Sequence, residues 1–416
     1  MESPTTNDTE RDIVITGIGI VSPIGIGKDS YWTGLRQGKS GFKEISLFDT
    51  SGFNVHVAGE VIDFDPETYI GKKDLRILDR STKLITSAAR LAIDDAGLDI
   101  NEENTHYIGV SVGTTFGSLH SIAQFDLAGL REGPRYVNPS LFPNTVINSP
   151  ASQVSIRFKI KGFNTTISTG FCASLDALTY AADFIRLNRV EAVLAGGVEE
   201  LCEETYMGFH KLGFLSGSDG TDPVCCPFDA RRCGTILSEG AAVLVLESKE
   251  HALKRGAVIL AKVSGYGNSF TSENNRRFSS DNGLATAIKL AIREASLDIA
   301  DIDYISASAN STRELDEMDT AAIKKVFGER AYSIPVSAIK SMTGETFSAS
   351  GAMSLSAAVG AIHKGFLPPT INYSEKDPQC DLDYVPNEAR EKSINTALVI
   401  SSDPYGNNTA VVLERA

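Results

Sequence analysis

The chain has 416 residues, 42% hydrophobic and 22% charged, proportions that exclude a disordered, collagenous or coiled-coil protein. That length suggests two domains or one large duplicated unit, with enough chain to bury a core without metals or disulfides. A formal net charge of −14 argues against a basic surface for nucleic acid or anionic membrane over the whole chain.

Residues 1–11 read as a loose polar tail, with no basic segment followed by an apolar stretch as a secretory signal would have. No uncharged apolar run reaches the roughly 18 residues of a membrane span. From Asp12 to Gly25 a β-branched apolar run broken by glycines predicts a strand and a turn. Gly17-x-Gly19 lacks the third glycine of a dinucleotide loop, so it reads as a strand with tight packing. Further apolar strands are predicted at 106–114, 165–168, 191–197, 241–247, 304–308 and 396–401. Helical spacing is predicted over 81–97, 175–187, 283–296 and 314–327. This alternation predicts an α/β layered fold. The cysteines (172, 202, 225, 226, 233 and 380) are scattered apart from one adjacent pair, which predicts reduced thiols in a cytoplasmic protein. No Cys-x-x-Cys or His-x-x-x-His spacing suggests a metal, and no cofactor is expected.

Residues 89–100 (ARLAIDDAGLDI) and 288–299 (IKLAIREASLDI) agree at seven of twelve positions, and each leads through a short loop into a Tyr-Ile strand, at Tyr107-Ile108 and Tyr304-Ile305. A helix–loop–strand unit used twice predicts two similar halves, 12–255 and 256–416.

Five segments in order resemble the β-ketoacyl synthase family: VITGIGIVSPIG (14–25), VSIRFKIKGFNTTIST (154–169), PFDARRCGTILSEGAAVLVLE (227–247), VSAIKSMTG (336–344) and CDLDYVPNEAR (380–390). The resemblance spans the chain from about residue 12. It implies a thiolase-like, duplicated five-layer α/β/α/β/α fold and a dimer. It also implies extension of acyl chains on an acyl carrier protein by decarboxylative Claisen condensation. That chemistry needs a cysteine thiolate to accept the acyl chain and two imidazoles to promote decarboxylation and stabilise the developing oxyanions.

None of the three groups is at its position. The family's Ser/Asp-Thr-Ala-Cys turn reads Ser168-Thr169-Gly170-Phe171, and counting from Thr169 or from Ala177 lands on Phe171. Cys172 is one residue late, a rotation of about 100° on a helix. The first histidine falls on Ser308 and the second, after Lys340-Ser341-Met342-Thr343-Gly344, on Glu345. The family's Gly-Phe-Gly-Gly gate reads Asp403-Pro404-Tyr405-Gly406. Lys340 is left to pair with Glu345.

Loss of the catalytic groups within a retained scaffold, followed by Leu175-Asp176-Ala177-Leu178, is similar to the chain length factor of type II polyketide synthases. There the cysteine is usually replaced by glutamine rather than phenylalanine. The resemblance implies a non-catalytic subunit in a heterodimer with an active ketosynthase α-subunit, working on an acyl carrier protein that carries malonyl and polyketide chains. It implies a shared tunnel bordered by helix 118–130, with Leu119, Ile122, Phe125 and Asp126 as the gate. It also implies an interface through Pro143, Asn144, Thr145 and Asn148 and a strand at Thr165 and Thr166. Two alternatives stand beside it: an enzyme using the displaced Cys172 with Glu345 as base, and a regulatory thiolase-like homodimer.

Overall fold

The computed structural model describes residues 11–271 and 280–416, so nearly all of the polar tail lies outside the described residues. Arg11, counted with the tail, already belongs to the fold and donates to Glu191 at 3.1 Å.

Leaving aside two-residue strands such as Gly25–Ile26, the first half contributes to the main sheet β1 (Ile13–Ser22), β2 (Ile108–Gly113), β3 (Asn164–Ile167), β4 (Ala192–Glu199) and β5 (Gly240–Ser248). The second contributes β6 (Ala261–Phe270), β7 (Tyr304–Ser306), β8 (Val336–Ser337), β9 (Thr396–Ser402) and β10 (Asn407–Glu414). The first set lies in the order β3-β2-β4-β5-β1 and the second in the order β8-β7-β9-β10-β6. In both, the second strand runs parallel to the third and fourth, while the fifth runs antiparallel to its two neighbours. The halves therefore share one topology, and they join where Ile13–Ile15 pairs antiparallel with Ala261–Val263. The expected boundary at 255/256 falls between β5 and β6.

Eight helices matter here: α1 (Arg80–Ala96), α2 (Leu119–Glu132), α3 (Ser149–Phe158), α4 (Ala173–Arg186), α5 (Glu203–Lys211), α6 (Asp281–Glu294), α7 (Arg313–Phe327) and α8 (Ser350–Lys364). α1 and α3 cover the outer face of the first strand set, and α6 and α7 that of the second. α4 and α8 lie between the sets in a core running from Ile13 to Leu413. This is the five-layer arrangement. α8 is built from Gly, Ala and Ser with few large side chains, because sheets press on it from both sides and bury every residue from Ser350 to Ile362.

The two glycines after the first strand's start are explained by this packing. A Cβ on Gly17 would lie 2.4 Å from the Ala92 carbonyl oxygen of α1, and one on Gly19 would lie 1.9 Å from that of Ala88. In the second half Gly265 and Gly267 stand 2.4 and 2.3 Å, on the same measure, from the carbonyl oxygens of Ala291 and Ala287 in α6. The Gly-x-Gly is thus a helix-on-strand contact used twice, and the repeat runs further than the twelve residues that reveal it in the sequence. β6, β8 and β10 escaped the sequence reading. β6 carries those glycines with Tyr266, Asn268 and Ser269 between and after them, β10 begins on two asparagines, and β8 has only two residues. Among the described residues no helix is long and apolar enough to cross a membrane.

Candidate functional site

The site sits where the strand ends of both halves meet the central helices. Four loops build it: the turn between β3 and α4, the segment after β7, the short Lys340–Thr343 helix with the residues that follow it, and the β9–β10 loop.

The first turn is a tight 3-10 turn, Gly170–Cys172. Gly170 has φ +60°, a left-handed backbone that favours glycine, and a Cβ there would lie 2.2 Å from Asp403 Oδ2. Two departures from the family pattern are therefore one packing event: the alanine before the nucleophile is lost, and the gate loop pushes a carboxylate into its place. Asp403 is buried and accepts from the Tyr405 and Asn407 N–H groups at 2.9 Å each. Sequence comparison alone saw the changed gate but not this link.

Phe171 is buried and its ring centroid lies 5.3 Å from that of Phe347. Phe347 in turn lies tilted 4.8 Å from Phe209 and edge-on 5.4 Å from Phe116, and Phe209 lies edge-on 5.6 Å from Phe214. Five phenylalanines from four separate regions fill the space beside the nucleophile position. Only Phe171 was legible in the sequence. Phe347 also has a positive φ, +46°, and opens the 3-10 turn before α8 as Gly170 opens the one before α4. The two halves thus place equivalent turns face to face.

Cys172 points elsewhere. It is fully buried, and its Sγ donates to the Asn407 carbonyl at 3.4 Å. Burial pushes the thiol well above its ordinary pKa, and the nearby Asp176 and Asp403 carboxylates push it the same way. Asp176 is itself held by Thr169, by Asn268 at 2.6 Å and by Thr409 at 2.5 Å. A thiol in such surroundings is the opposite of an activated nucleophile.

The two histidine positions are equally closed. Ser308 donates its N–H to Asp319 Oδ2 at 2.8 Å and its hydroxyl to Oδ1 at 2.9 Å. Glu345 accepts four bonds: from Lys340 Nζ (2.8 Å) and Asn310 Nδ2 (2.8 Å) on Oε2, and from the Phe347 N–H (2.9 Å) and Ser350 hydroxyl (2.8 Å) on Oε1. All these partners are buried, so the pairing of Lys340 with Glu345 is a sealed ion pair. Lys340 Nζ lies 5.8 Å from the Phe171 ring centroid, which places Phe171, Lys340 and Glu345 in one cluster. Ser308 joins it through Asp319, whose carboxyl burial pushes up to about 6. The cluster has neither a thiolate nor an imidazole and no free acid–base group. Among the described residues no group of three or more His, Cys, Asp or Glu side chains is placed to hold a metal ion.

The expected tunnel helix is α2. None of its residues is fully buried in the single chain. Leu119, Ile122 and Phe125 are half-buried, and Asp126 is exposed. The Phe125 ring packs 5.9 Å from that of Phe142. Of the expected interface residues, Pro143 and Asn148 are exposed, and Thr145, Thr165 and Thr166 are half-buried. Asn144 differs: it is buried, and its amide donates to the Ile77 carbonyl at 2.7 Å, so its side chain is spent inside the chain. Among the described residues β3 pairs on one side only, with β2, and its other edge is open. Leu130 of α2, Ile156 of α3, and Tyr136 and Phe142 between those helices are exposed.

The chain matches the β-ketoacyl synthase N-terminal domain over residues 10–252 and the β-ketoacyl synthase C-terminal domain over residues 260–374. It belongs to the β-ketoacyl synthase family. It is 39% identical to 3-oxoacyl-[acyl-carrier-protein] synthase 2 of Coxiella burnetii, over 98% of this chain and 99% of that one. It is 36% identical to the tetracenomycin polyketide synthase ketoacyl synthase alpha subunit of Streptomyces glaucescens, over 99% and 98%. Among solved structures, the ishigamide ketosynthase/chain length factor superposes with a TM-score of 0.92 at 36% identity, covering 98% of this chain and 100% of that one. A type II polyketide acyl-carrier protein in complex with its ketosynthase bound to the hexaketide gives 0.89 at 31%, covering 98% and 100%. The fold is therefore the thiolase-like fold of type II ketosynthases.

Proposed function

We propose that this chain is a chain length factor: a non-catalytic subunit that pairs with an active ketosynthase and shapes the tunnel into which the growing polyketide extends. One observation carries the reading. Phe171, Ser308 and Glu345, the residues aligned with the three catalytic groups, are each locked into buried packing or hydrogen bonds of their own. Overall identity to proteins named as synthases speaks for a common scaffold, whereas condensation depends on those three side chains. A scaffold that has lost them together is best used through a partner.

The open edge of β3 and the uncovered α2 support pairing. In this reading the partner's strand extends the sheet, and α2 with Leu119, Ile122 and Phe125 borders a tunnel whose depth is set by side-chain bulk. The acyl carrier protein would deliver malonyl and polyketide chains to the partner's cysteine. The reading as an enzyme using Cys172 and Glu345 has the geometry against it, since the thiol is buried between two carboxylates and Glu345 is committed to Lys340.

The test is native mass spectrometry of this chain co-expressed with a type II polyketide ketosynthase of the same organism, with product analysis. The expected result is a one-to-one heterodimer that makes polyketide only when both chains are present. A homodimer that ignores the ketosynthase would establish the regulatory alternative. A homodimer that takes up an acyl group on Cys172 would make the chain an enzyme in its own right.

A further inference from the structure

A row of phenylalanine rings joins the surface to the nucleophile position. At its outer end lies a cavity of about 300 Å³ lined by Gly213, Phe214, Cys233, Thr312 and Arg313. The cavity borders the site already described. The Thr312 hydroxyl donates to Asn310 Oδ1 at 2.7 Å, and Nδ2 of the same asparagine donates to Glu345 at 2.8 Å. From Phe214 inward, ring centroids step to Phe209 (5.6 Å), then to Phe347 (4.8 Å) and then to Phe171 (5.3 Å). Phe214 and Phe209 are half-buried, while Phe347 and Phe171 are buried.

Different parts of the fold fix the members of the row. The Phe214 N–H donates to the Phe209 carbonyl at 3.1 Å, and the Phe214 carbonyl accepts from the Thr235 N–H at 2.8 Å. Gly234 makes room for that pairing, since a Cβ there would lie 2.7 Å from the Phe214 carbonyl oxygen. Phe209 sits on α5, against which Phe53 packs with its ring 5.2 Å from both Tyr206 and His210. Phe347 is held through its N–H by Glu345 Oε1 at 2.9 Å. The residue that stands for the second imidazole therefore also sets the inner ring. Tilted and edge-on aromatic pairs at these distances attract, and a row packed to interior density has no space for a chain of methylene groups.

We propose that Phe214, Phe209 and Phe347 are a plug that keeps a pantetheine-linked acyl chain from entering this subunit through the cavity beside Cys233. Its use rests on the non-catalytic reading above: the assembled pair then has one acyl entrance, on the partner, and carrier-bound chains are not held by a subunit that cannot extend them. The discrimination is by bulk, and it acts on the acyl chain rather than on the polar arm.

The test uses the full-length chain with Cys233 as reporter, because Cys233 lines the cavity and is exposed while the other five cysteines are buried. Its alkylation by iodoacetamide is followed by mass spectrometry in the presence of amide analogues of acetyl-, butanoyl- and octanoyl-pantetheine, which carry no thiol. In the wild type, any protection of Cys233 should be the same for all three. In the double variant Phe209→Ala with Phe214→Ala, protection should strengthen with chain length, by up to about fourfold in dissociation constant for each methylene that becomes buried. Should that variant not fold, Phe209→Leu with Phe214→Ala is judged by the same criterion. Protection that strengthens with chain length in the wild type, or that ignores chain length in the folded variant, would overturn the plug. The two readings fail differently. Chain-length-dependent protection in the wild type without covalent uptake removes the plug alone, whereas transfer of an octanoyl group from its thioester to Cys172 removes the non-catalytic reading as well.

Discussion

Single side chains decide what this scaffold can do. A thiol introduced by Phe171→Cys would stand next to Lys340, but the two imidazole positions would still hold Ser308 and Glu345. The variant should therefore show no condensation when malonyl- and acyl-loaded carrier proteins are followed by mass spectrometry; any measurable extension would remove the three-position argument. The Lys340–Glu345 pair makes a second prediction. A buried ion pair contributes little net stability, yet stripping one partner leaves a charge stranded. Glu345→Ala should cost about 3–5 kcal/mol in urea denaturation, whereas Lys340→Met with Glu345→Leu should lose far less. Equal losses would show that the pair is not behaving as a sealed unit. These three positions were singled out in the sequence because they stand at fixed counts within segments that resemble the family's. The phenylalanine stack was not, because Phe116, Phe209 and Phe347 are far apart in the chain and only folding brings them to Phe171. The Gly170–Asp403 contact was hidden for the same reason, lying between two loops more than 200 residues apart.

At the level of elements, the strands that could be read keep apolar residues around their glycines and are buried along their length. Glycine lets a strand admit a helix backbone: in β1 Ile15, Ile18 and Ile20 around Gly17 and Gly19 keep the signal, whereas in β6 Gly265 and Gly267 stand among Ser264, Tyr266, Asn268 and Ser269 and the signal fades. That trade is testable. A methyl group at Gly19 would meet a main-chain carbonyl at 1.9 Å, which no rotamer change relieves. Gly19→Ala should separate β1 from α1 at a cost of about 1–3 kcal/mol or more, read as a fall in the denaturation midpoint. Gly97→Ala, with nothing within 4 Å of its Cβ, should show only the smaller penalty of a left-handed helix cap. For α2, Ile122→Phe should shorten the polyketide made by the assembled pair, as judged by product mass. An unchanged product would take Ile122 out of the wall.

For the whole molecule, the open edge of β3 and the exposed apolar side chains of α2, α3 and the segment between them are features suited to contact with another chain. Expressed alone, the chain should self-associate as its concentration rises, seen by light scattering, and a bound ketosynthase should suppress this. Concentration-independent monomers would show that the edge is adequately protected without a partner. The shared middle layer has a different consequence, one of timing. α4 lies in a core whose other side is α8, and α8 ends at Lys364. During synthesis the first half cannot finish its interior when its own last strand has emerged. It waits for the chain from Lys249 to Lys364, roughly 6 to 23 seconds at usual translation rates of about 5–20 residues per second. Through that interval a nascent chain shows the ribosome exit the apolar face that the finished protein hides most completely.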